Sequence, residues 1–406
     1  MAFDIQKIRE DFPALHQQVY GKQLVYFDNG ATSLKPKCVI DRLENYYAKE
    51  NSNVHRGVHY LSQEATTSME NAREYLREFL GAKTIKEIIF TKGTTESINL
   101  VAAAFGRKFI GSGDEIIVSA MEHHANIVPW QMLCEEKGAN LKVIPVNDDG
   151  ELDMDAYEEL FSDKTKLVAV AHISNALGTI NPIKEMTEIA HENGAKILID
   201  GAQGIAHSRV NVGELDCDFY VFSGHKIFAP MGIGILYGKE EILREMTPYQ
   251  TGGEMIDKVS FEETTFNELP FKFEAGTPNV GGILGLETAL KYFQEIGIEE
   301  AEAHEKKLLD YATKQLSEFP QINIIGEAKH KASVISFVIE GIHHYDAGSI
   351  LDKLGIATRT GHHCAQPVMK RFGVDGTIRI SLSVYNTVEE IDIFITSLKR
   401  AIQMLL

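Results

Sequence analysis

A repeated pattern of apolar runs, glycine- or asparagine-containing loops and helical stretches between residues 87 and 238 most constrains the fold of this chain. Most of the apolar runs lack polar alternation, which is typical of strands that are covered on both faces. Strands that alternate with helices in this way form stacked βαβ units. The pattern therefore predicts an α/β fold with a large, doubly wound, mainly parallel sheet. Its seven candidate strands are residues 87–90, 114–119, 141–146, 167–173, 196–199, 219–222 and 232–237.

The length of 406 residues predicts more than one domain, because it exceeds what a single hydrophobic core usually serves. Between residues 251 and 282 the periodicity fades into a glycine-rich segment, which is too long for an ordinary connection and predicts a functional segment or an intersubunit arm. A smaller α+β domain is predicted from helical runs at 283–297, 299–319 and 388–405 and strand-like runs at 322–325 and 333–339. We predict an N-terminal segment 1–24 that packs on this small domain, a large domain 25–290 and a small domain 291–406.

The charge balance limits the classes of partner. Acidic side chains outnumber basic ones by 58 to 40, which gives a net charge of −18, and no basic stretch stands out. A surface that binds nucleic acid or an anionic membrane needs clustered positive charge, so both are disfavoured. Small molecules and proteins are the expected partners.

The N-terminus and the cysteines indicate a reducing compartment. Residues 1–15 are charged and amphipathic and lack the apolar stretch of a signal peptide, and no apolar run approaches membrane-spanning length. The chain has four cysteines without CxxC spacing, which favours free thiols over disulfides. We therefore expect a cytoplasmic protein. The cysteines are Cys38, Cys134, Cys217 and Cys364.

Lys226 and Asp200 together indicate a pyridoxal phosphate site. Lys226 ends a polar turn that follows the candidate strand 219–222, and Asp200 directly follows another, and ligands in open α/β sheets bind at such strand ends. A lysine amine can hold the cofactor's aldehyde as a Schiff base, while an aspartate can keep the pyridine nitrogen protonated. Taken singly, the residues also fit a solvated loop cation and a helix N-cap. Their coincidence at two strand ends favours the cofactor.

A phosphate group could be held by Gly93, Thr94 and Thr95, which lie between a candidate strand and a helix. Backbone N–H groups, hydroxyls and the helix dipole favour an anion there, although the same residues also fit ordinary helix capping. Ser223 and His225 could add donors to the same phosphate.

Other polar residues follow neighbouring strands. His123 could stack on the cofactor ring and move protons, and its neighbour His124 leaves a metal site as a rival interpretation. We do not predict a metal, because no further ligands stand at suitable local spacing. Asn175 and Gln203 could hydrogen-bond the cofactor's phenolic oxygen or merely satisfy loop backbone.

Cys364 is the candidate nucleophile. It lies on a glycine- and proline-bracketed loop with Arg359, and nearby arginine and histidine favour a thiolate, although a structural thiol is the alternative. Arg379 opens a further strand-like run, and its planar guanidinium suits the carboxylate of an amino acid or a surface ion pair.

The whole chain resembles the SufS-type cysteine desulfurases, which are fold-type I pyridoxal phosphate enzymes of the class V aminotransferase group. The last of the matching strings resembles the subgroup with the shorter cysteine loop, rather than the NifS/IscS-like subgroup. The strings that carry the resemblance are residues 52–57, 121–126, 223–226, 275–278 and 359–365.

The resemblance implies a role for each matching residue. Lys226 would bear the cofactor and act in catalysis with Cys364 and His123, Asp200 would pair with the pyridine nitrogen, and Thr277 would reach the phosphate of the neighbouring subunit in a homodimer. The other cofactor-binding residues would be Gln203, Thr94, Thr95, Asn175, Ser223 and His225. The substrate-binding residues would be Arg379, Arg359, Asn175, His55 and Arg56.

The implied reaction converts L-cysteine to L-alanine, with the sulfur held as a persulfide on Cys364 and passed to an acceptor protein for iron-sulfur cluster assembly. The nearest alternative is a selenocysteine lyase that acts on L-selenocysteine at the same site. An aminotransferase and a catalytically silent scaffold are weaker alternatives. Relatives that dock a SufU-like acceptor tend to carry histidine before the aspartate at position 346, whereas this chain has Tyr345, which favours a SufE-like acceptor.

Overall fold

A computed structural model describes residues 3–406, so the first two residues of the predicted N-terminal segment lie outside the described part of the chain. The predicted seven-stranded sheet is confirmed. Its strand β3 ends before Pro145, which has no N–H for the ladder, and so stops short of the predicted residue 146. The strands are β1 (Ile88–Thr91), β2 (Glu115–Ser119), β3 (Asn140–Ile144), β4 (Thr165–Ala171), β5 (Lys196–Asp200), β6 (Phe219–Ser223) and β7 (Gly234–Gly238).

The order of the strands across the sheet is β1-β7-β6-β5-β4-β2-β3. β7 runs antiparallel to both of its neighbours, and the remaining neighbours pair in parallel. The prediction of a mainly parallel sheet is therefore correct. The carboxyl ends of β2, β4, β5 and β6 consequently meet at one edge, which is where such sheets bind ligands.

Both faces of the sheet are covered by helices, which explains the lack of polar alternation in the strands. Consecutive residues enter different cores: Ile88 belongs to one cluster and Ile89 to the other, and Ile117 and Ile116 divide in the same way. The first cluster includes the helices Tyr60–Leu80, Ile183–Glu192 and Val280–Ile296, and the second includes Thr94–Val101 and Val128–Lys137.

A smaller antiparallel sheet follows, and two of its strands match the predicted runs at 322–325 and 333–339. Its order is β8-β9-β11-β10, so β10 is an edge strand. Thr387 and Glu390 form a capping box at the start of the last helix, which fixes the predicted boundary at residue 388. The strands are β8 (Ile322–Ile325), β9 (Val334–Ile339), β10 (Arg359–Gly361) and β11 (Thr377–Ser381), and the helices are Ile298–Ser317, His344–Lys353, Gln366–Arg371 and Val388–Leu405.

The N-terminal segment contacts both parts of the molecule. Its helix Ile5–Glu10 is followed by Phe12, which packs in the main core against the ring of Phe228. Arg9 pairs at 2.8 Å with Glu390 of the last helix. The division of the chain at residues 24 and 290 stays a prediction.

The segment 251–282 contains an antiparallel hairpin of Ile256–Val259 and Thr264–Phe266, with Phe261 fully exposed at its tip. The segments that lead into and out of the hairpin meet where the N–H of Gly276 donates to the carbonyl of Gly253 at 3.0 Å. We call residues 251–282 the arm and this contact the base of the arm. Its place across a subunit interface stays a prediction.

Two global properties concern the described residues 3–406. No helix in this range is long and apolar enough to cross a membrane. Cys38 and Cys364 are exposed, Cys134 and Cys217 are buried, and all of these thiols are free.

Candidate active site

One cavity at the carboxyl edge of the large sheet brings together most of the residues singled out in the sequence. It also borders the small sheet, because β10 and β11 contribute the two arginines. The predicted site residues that line it are Thr94, Thr95, His123, Asn175, Asp200, Gln203, Ser223, His225, Lys226, Arg359, Cys364 and Arg379.

Lys226 reaches this cavity from the turn Gly224–Lys226, directly after the buried strand β6. Burial lowers the pKa of its amine to about 8, while the nearby carboxylate of Asp200 acts in the opposite direction. An amine with this pKa is partly neutral near physiological pH. It can therefore act as a nucleophile and as a base.

Asp200 is the last residue of β5 and is buried. Its Oδ1 accepts a hydrogen bond from the backbone N–H of Ala202 at 2.9 Å. Burial raises the pKa of this carboxyl group, and the positive charge of Lys226 opposes that shift. A buried carboxylate needs a cationic partner, and a protonated pyridine nitrogen would supply one.

The turn before the helix Thr94–Val101 is shaped to accept an anion. The backbone N–H and the Oγ1 of Thr94 each lie 2.9 Å from Oγ of Ser223. Gly93 has φ of +150°, and a Cβ there would lie 3.0 Å from the same hydroxyl. The buried Nδ1 of His225 has no hydrogen-bond partner within the described chain. Hydroxyls, a helix N-terminus and an unpaired ring nitrogen together fit a phosphate group.

His123 follows β2 and has a defined tautomer. Its Nδ1 accepts the N–H of Ala125 at 3.1 Å, so the proton of the neutral ring lies on Nε2. Burial and, to a smaller extent, the charge of Lys226 lower the pKa of His123 to about 4. The ring is therefore neutral at physiological pH and presents an N–H donor.

Glu122 holds the segment that carries His123 through hydrogen bonds, a role that the sequence interpretation missed. Its carboxylate accepts hydrogen bonds from Asn126 Nδ2 at 2.7 Å and from the N–H of Ala171 at 3.0 Å, and Asn126 in turn accepts from Trp130. Burial raises the pKa of Glu122 to about 7. The sequence gives no local signal of the contact with Ala171, because that residue lies 49 positions away on β4.

Arg379 and Arg359 converge on Asp28, which the sequence interpretation also missed. Asp28 lies 3.2 Å from Nη2 of Arg379 and 3.5 Å from Nη1 of Arg359. Arg379 also donates to the carbonyl of Asn175 at 2.9 Å, and its buried Nε has no partner within residues 3–406. The alternative of a surface ion pair is wrong for Arg379, because its side chain is buried. The arginine pair leaves donors for a substrate carboxylate.

Cys364 is exposed on a strained turn after β10. His363 and Cys364 have φ of 53° and 55°, which is unusual for residues other than glycine. The N–H of His124 donates to the carbonyl of Cys364 at 2.8 Å, Asn175 Nδ2 donates to the carbonyl of His363 at 2.6 Å, and His363 Nε2 lies 2.7 Å from Thr377 Oγ1. Contacts from separate elements thus hold the thiol at the cavity mouth.

The structure does not place His55, Arg56 and Thr277 in this cavity. His55 Nε2 lies 3.1 Å from Glu70, and Arg56 pairs with Glu254 at 3.1 Å. Thr277 is exposed on the arm. Their predicted contacts with substrate or with a neighbouring cofactor stay predictions.

Two of the cavity's amides are already engaged. Gln203 Nε2 donates to the carbonyl of Gly30 at 2.8 Å, and the amide nitrogen of Asn175 holds the cysteine turn.

Across residues 3–406, no group of three or more His, Cys, Asp or Glu side chains is arranged to hold a metal ion.

Comparison with known proteins agrees with this geometry. The family described as aminotransferase class-V matches residues 25–394, and the chain belongs to that family. A cysteine desulfurase from Synechococcus elongatus is 51% identical over 98% of this chain, which spans only 64% of that protein's length. A cysteine desulfurase from Salmonella agona is 50% identical, with 100% of both proteins covered.

A solved structure is similar along its whole length. The cysteine desulfurase CsdA from Escherichia coli superposes with a TM-score of 0.93 at 38% identity, and 100% of both chains is covered. The predicted fold-type I architecture is thus confirmed. The family and the donor set of the cavity indicate pyridoxal phosphate as the cofactor.

Proposed function

We propose that this chain is a cysteine desulfurase that converts L-cysteine to L-alanine and holds the sulfur as a persulfide on Cys364. One observation carries this proposal: Lys226 and Cys364 line the same cavity. A reactive amine suits the chemistry of an amino acid at Cα, and a thiol at the cavity mouth suits the acceptance of its sulfur. The names of the full-length relatives support the same reaction.

The cofactor would be held by residues at the strand ends. Lys226 would bear it, Asp200 would pair with its ring nitrogen, His123 would stack on its ring, and the turn of Thr94 and Ser223 would hold its phosphate. Pyridoxal phosphate, when bound, withdraws electrons from the substrate's Cα and makes its proton removable. Lys226 would then move that proton, which its pKa of about 8 permits near neutral pH.

The remaining residues would orient the substrate and the thiol. Arg379 and Arg359 would bind the carboxylate of L-cysteine, because both side chains line the cavity and the buried Nε of Arg379 has no partner within residues 3–406. The strained turn would point the thiol of Cys364 at the substrate's sulfur. His123, neutral with its proton on Nε2, would donate to the reacting groups.

The net reaction balances without an external oxidant. The carbon–sulfur bond of L-cysteine breaks, and a sulfur–sulfur bond forms on Cys364. The substrate carbon gains a hydrogen and is reduced to the methyl group of alanine, while the two sulfur atoms share the corresponding oxidation. One cysteine and one thiol thus give one alanine and one persulfide.

The finer assignments rest on sequence strings and exposed residues. The string at residues 359–365 supports the SufS-type subgroup, and the exposed Cys364 supports transfer to a protein acceptor in a reducing cytoplasm, for iron-sulfur cluster assembly. Tyr345 is exposed in the first turn of the helix His344–Lys353, at the position where histidine would favour a SufU-like acceptor. We therefore favour a SufE-like acceptor. The resemblance at residues 275–278 favours a homodimer in which the arm of one subunit brings Thr277 to the cofactor phosphate of the other.

Incubation with L-cysteine and a thiol reductant tests the proposal. We expect equal amounts of alanine and sulfide, because each turnover releases one of each when the persulfide is reduced. Cys364→Ala should lower both by about 100-fold or more, since the sulfur then has no acceptor. Cys38→Ala is the matched control, because Cys38 is the other exposed cysteine and lies outside the cavity.

A keto acid in place of alanine would contradict the proposal and favour an aminotransferase. Selenocysteine lyase stays the alternative to be tested, although the relatives' names favour the desulfurase. The carbon–selenium bond is weaker, so Cys364→Ala should impair release of selenium far less than release of sulfur. Equal losses with the two substrates would contradict a specific sulfur-accepting role for Cys364.

A further inference from the structure

Arg73 forms a buried ion pair outside the cavity that the proposed reaction does not use. It is fully buried on the helix Tyr60–Leu80, and its guanidinium makes a forked pair with Glu274, at 2.7 Å from Nη1 to Oε1 and 2.9 Å from Nη2 to Oε2. The ring of Phe90 lies 4.3 Å from the guanidinium carbon. Burial of two charges costs desolvation energy, so such a pair is better explained by positioning than by stability.

The pair joins the arm to the strand that precedes the phosphate turn. Glu274 belongs to the arm, and its Oε1 accepts the N–H of Phe90 in β1 at 2.8 Å. Arg73 Nη1 donates to the carbonyl of Ile88 in the same strand at 2.9 Å. Three residues after Phe90, the chain enters the turn that begins at Gly93. A shift of Glu274 would therefore move both the arm and this strand.

The segment that leads into the hairpin, which contains Glu254, is also connected to the helix Tyr60–Leu80. Glu254 lies 3.8 Å from Nδ1 of His55, whose Nε2 lies 3.1 Å from Glu70, and Glu70 lies 3.0 Å from Arg73. Although burial acts to raise it, the hydrogen bond from His55 and the charge of Arg73 lower the pKa of Glu70 to about 2. Glu70 is therefore charged at physiological pH, and the base of the arm is held by a continuous chain of polar contacts.

The arm presents exposed residues beyond this base. Thr277 follows Gly276, whose N–H closes the base on Gly253, and the Thr277 side chain is exposed. At the other end of the arm, the side chain of Phe261 is fully exposed. An apolar tip and an exposed hydroxyl on a firmly held base suit contact with a second copy of the chain.

We propose that Arg73 and Glu274 are positioning residues that set the arm so that Thr277 reaches the cofactor phosphate of a second copy of this chain. The inference rests on the proposed function for the cofactor and for the crossing of the arm. The ion-pair anchor and its link to β1 are the new part. Through that link, one carboxylate positions a phosphate contact in each of the two subunits.

Cofactor binding tests this proposal without measuring turnover. Glu274→Gln keeps the shape of the side chain but removes the charge-assisted fork, so the dimer should bind pyridoxal phosphate about tenfold more weakly. Binding of pyridoxal, which lacks the phosphate, should be unchanged. Arg73→Lys keeps a buried positive charge but cannot form the fork, and it should reproduce the effect if Glu274→Gln does not fold.

Arg77→Gln is the matched control, because Arg77 lies on the same helix and pairs with Glu74 and Glu78 away from the arm. It should leave both affinities unchanged. Equal weakening of pyridoxal and pyridoxal phosphate by Glu274→Gln would overturn the proposal, because a general disturbance of the site would not depend on the phosphate. Unchanged affinity for both would overturn it as well.

Mixed dimers show in which subunit the pair acts. Lys226→Ala marks one subunit as unable to hold the cofactor covalently, and Glu274→Gln is placed either on that subunit or on the intact one. Loss of cofactor from the intact site should accelerate when Glu274→Gln lies on the Lys226→Ala subunit, whose arm brings Thr277 to that site. It should also accelerate when Glu274→Gln lies on the intact subunit, where Glu274 holds β1. Acceleration only when Glu274→Gln lies on the intact subunit, or a chain that is monomeric, would overturn the proposal. Failure to form alanine from L-cysteine would overturn the function and leave these binding results unaffected.

Discussion

Lys226 and Cys364 both lie in short turns directly after a strand, but the two turns are built in different ways. The lysine turn follows β6, every residue of which is buried, and burial tunes the amine's pKa. The cysteine turn follows the edge strand β10, leaves the thiol exposed and is held by hydrogen bonds from distant elements. The amine must be desolvated to react, whereas the thiol must remain reachable by another protein. Burial serves the first need, and a strained but well-bonded turn serves the second.

Among the changes to the two turns, replacement of Lys226 should have the largest effect on activity. Lys226→Ala should lower alanine formation by about 1,000-fold or more, because both the attachment of the cofactor and the movement of the Cα proton are lost. Lys331→Ala is the matched control, since burial also lowers the pKa of Lys331 to about 8 but this lysine lies outside the cavity. Alanine formation is the measurement. Substantial activity in Lys226→Ala, or equal losses in both variants, would remove the lysine turn from the mechanism.

The pH dependence of cofactor uptake tests how the lysine turn works. Only the neutral amine of Lys226 attacks the aldehyde, so the neutral fraction at a pKa of about 8 should raise the uptake rate by about tenfold between pH 7 and pH 9. The rate should then level off. A lysine of ordinary pKa would instead continue to gain rate above pH 9.

The variant Asp200→Asn extends this experiment. The carboxylate of Asp200 raises the pKa of Lys226, so its removal should move the midpoint of uptake below that of the unmodified chain. The measurement is the rate of appearance of bound-cofactor absorbance after mixing with apoprotein. A midpoint that moves upward would show that Asp200 does not act on this amine.

A smaller effect is expected when one bond of the cysteine turn is removed. Thr377→Val leaves the buried Nε2 of His363 without its partner, which should cost about 1–3 kcal/mol of stability and lower alanine formation severalfold. Cofactor binding should be unchanged, because the lysine turn is not touched. Thr187→Val, a buried threonine whose hydroxyl bonds within the helix Ile183–Glu192, should cost stability without a matching loss of activity. If the two variants behave alike, the turn needs no such support.

The difference between the turns also explains what the sequence could predict. Lys226 and Asp200 follow apolar runs that identify buried strands. Because neighbouring parallel strands end at the same edge, the local pattern was sufficient to predict that the two residues share a site. Asp28 could not be found in this way, because it meets Arg379 from a position 351 residues away in the sequence. A turn signal in residues 28–30 was present, but it did not indicate a partner.

The strain of the cysteine turn was likewise beyond the sequence. Positive φ at His363 and Cys364 depends on bonds from His124, Asn175 and Thr377, which lie on other elements. The resemblance indicated that Cys364 reacts, but not how the turn is held. The strands of the large sheet were predictable to within about two residues, because burial on both faces leaves a clear pattern. The short edge strand β10 was predicted as part of a loop, because its three residues are not fully buried and leave no such pattern.

The most direct test is a single turnover with limiting L-cysteine and no reductant, followed by peptide mapping. We expect one additional sulfur atom on the peptide that contains Cys364 for each alanine released, and none on the peptide that contains Cys38. Alanine without sulfur on Cys364, or sulfur spread equally over both exposed cysteines, would contradict the claim that Lys226 and Cys364 act in one site.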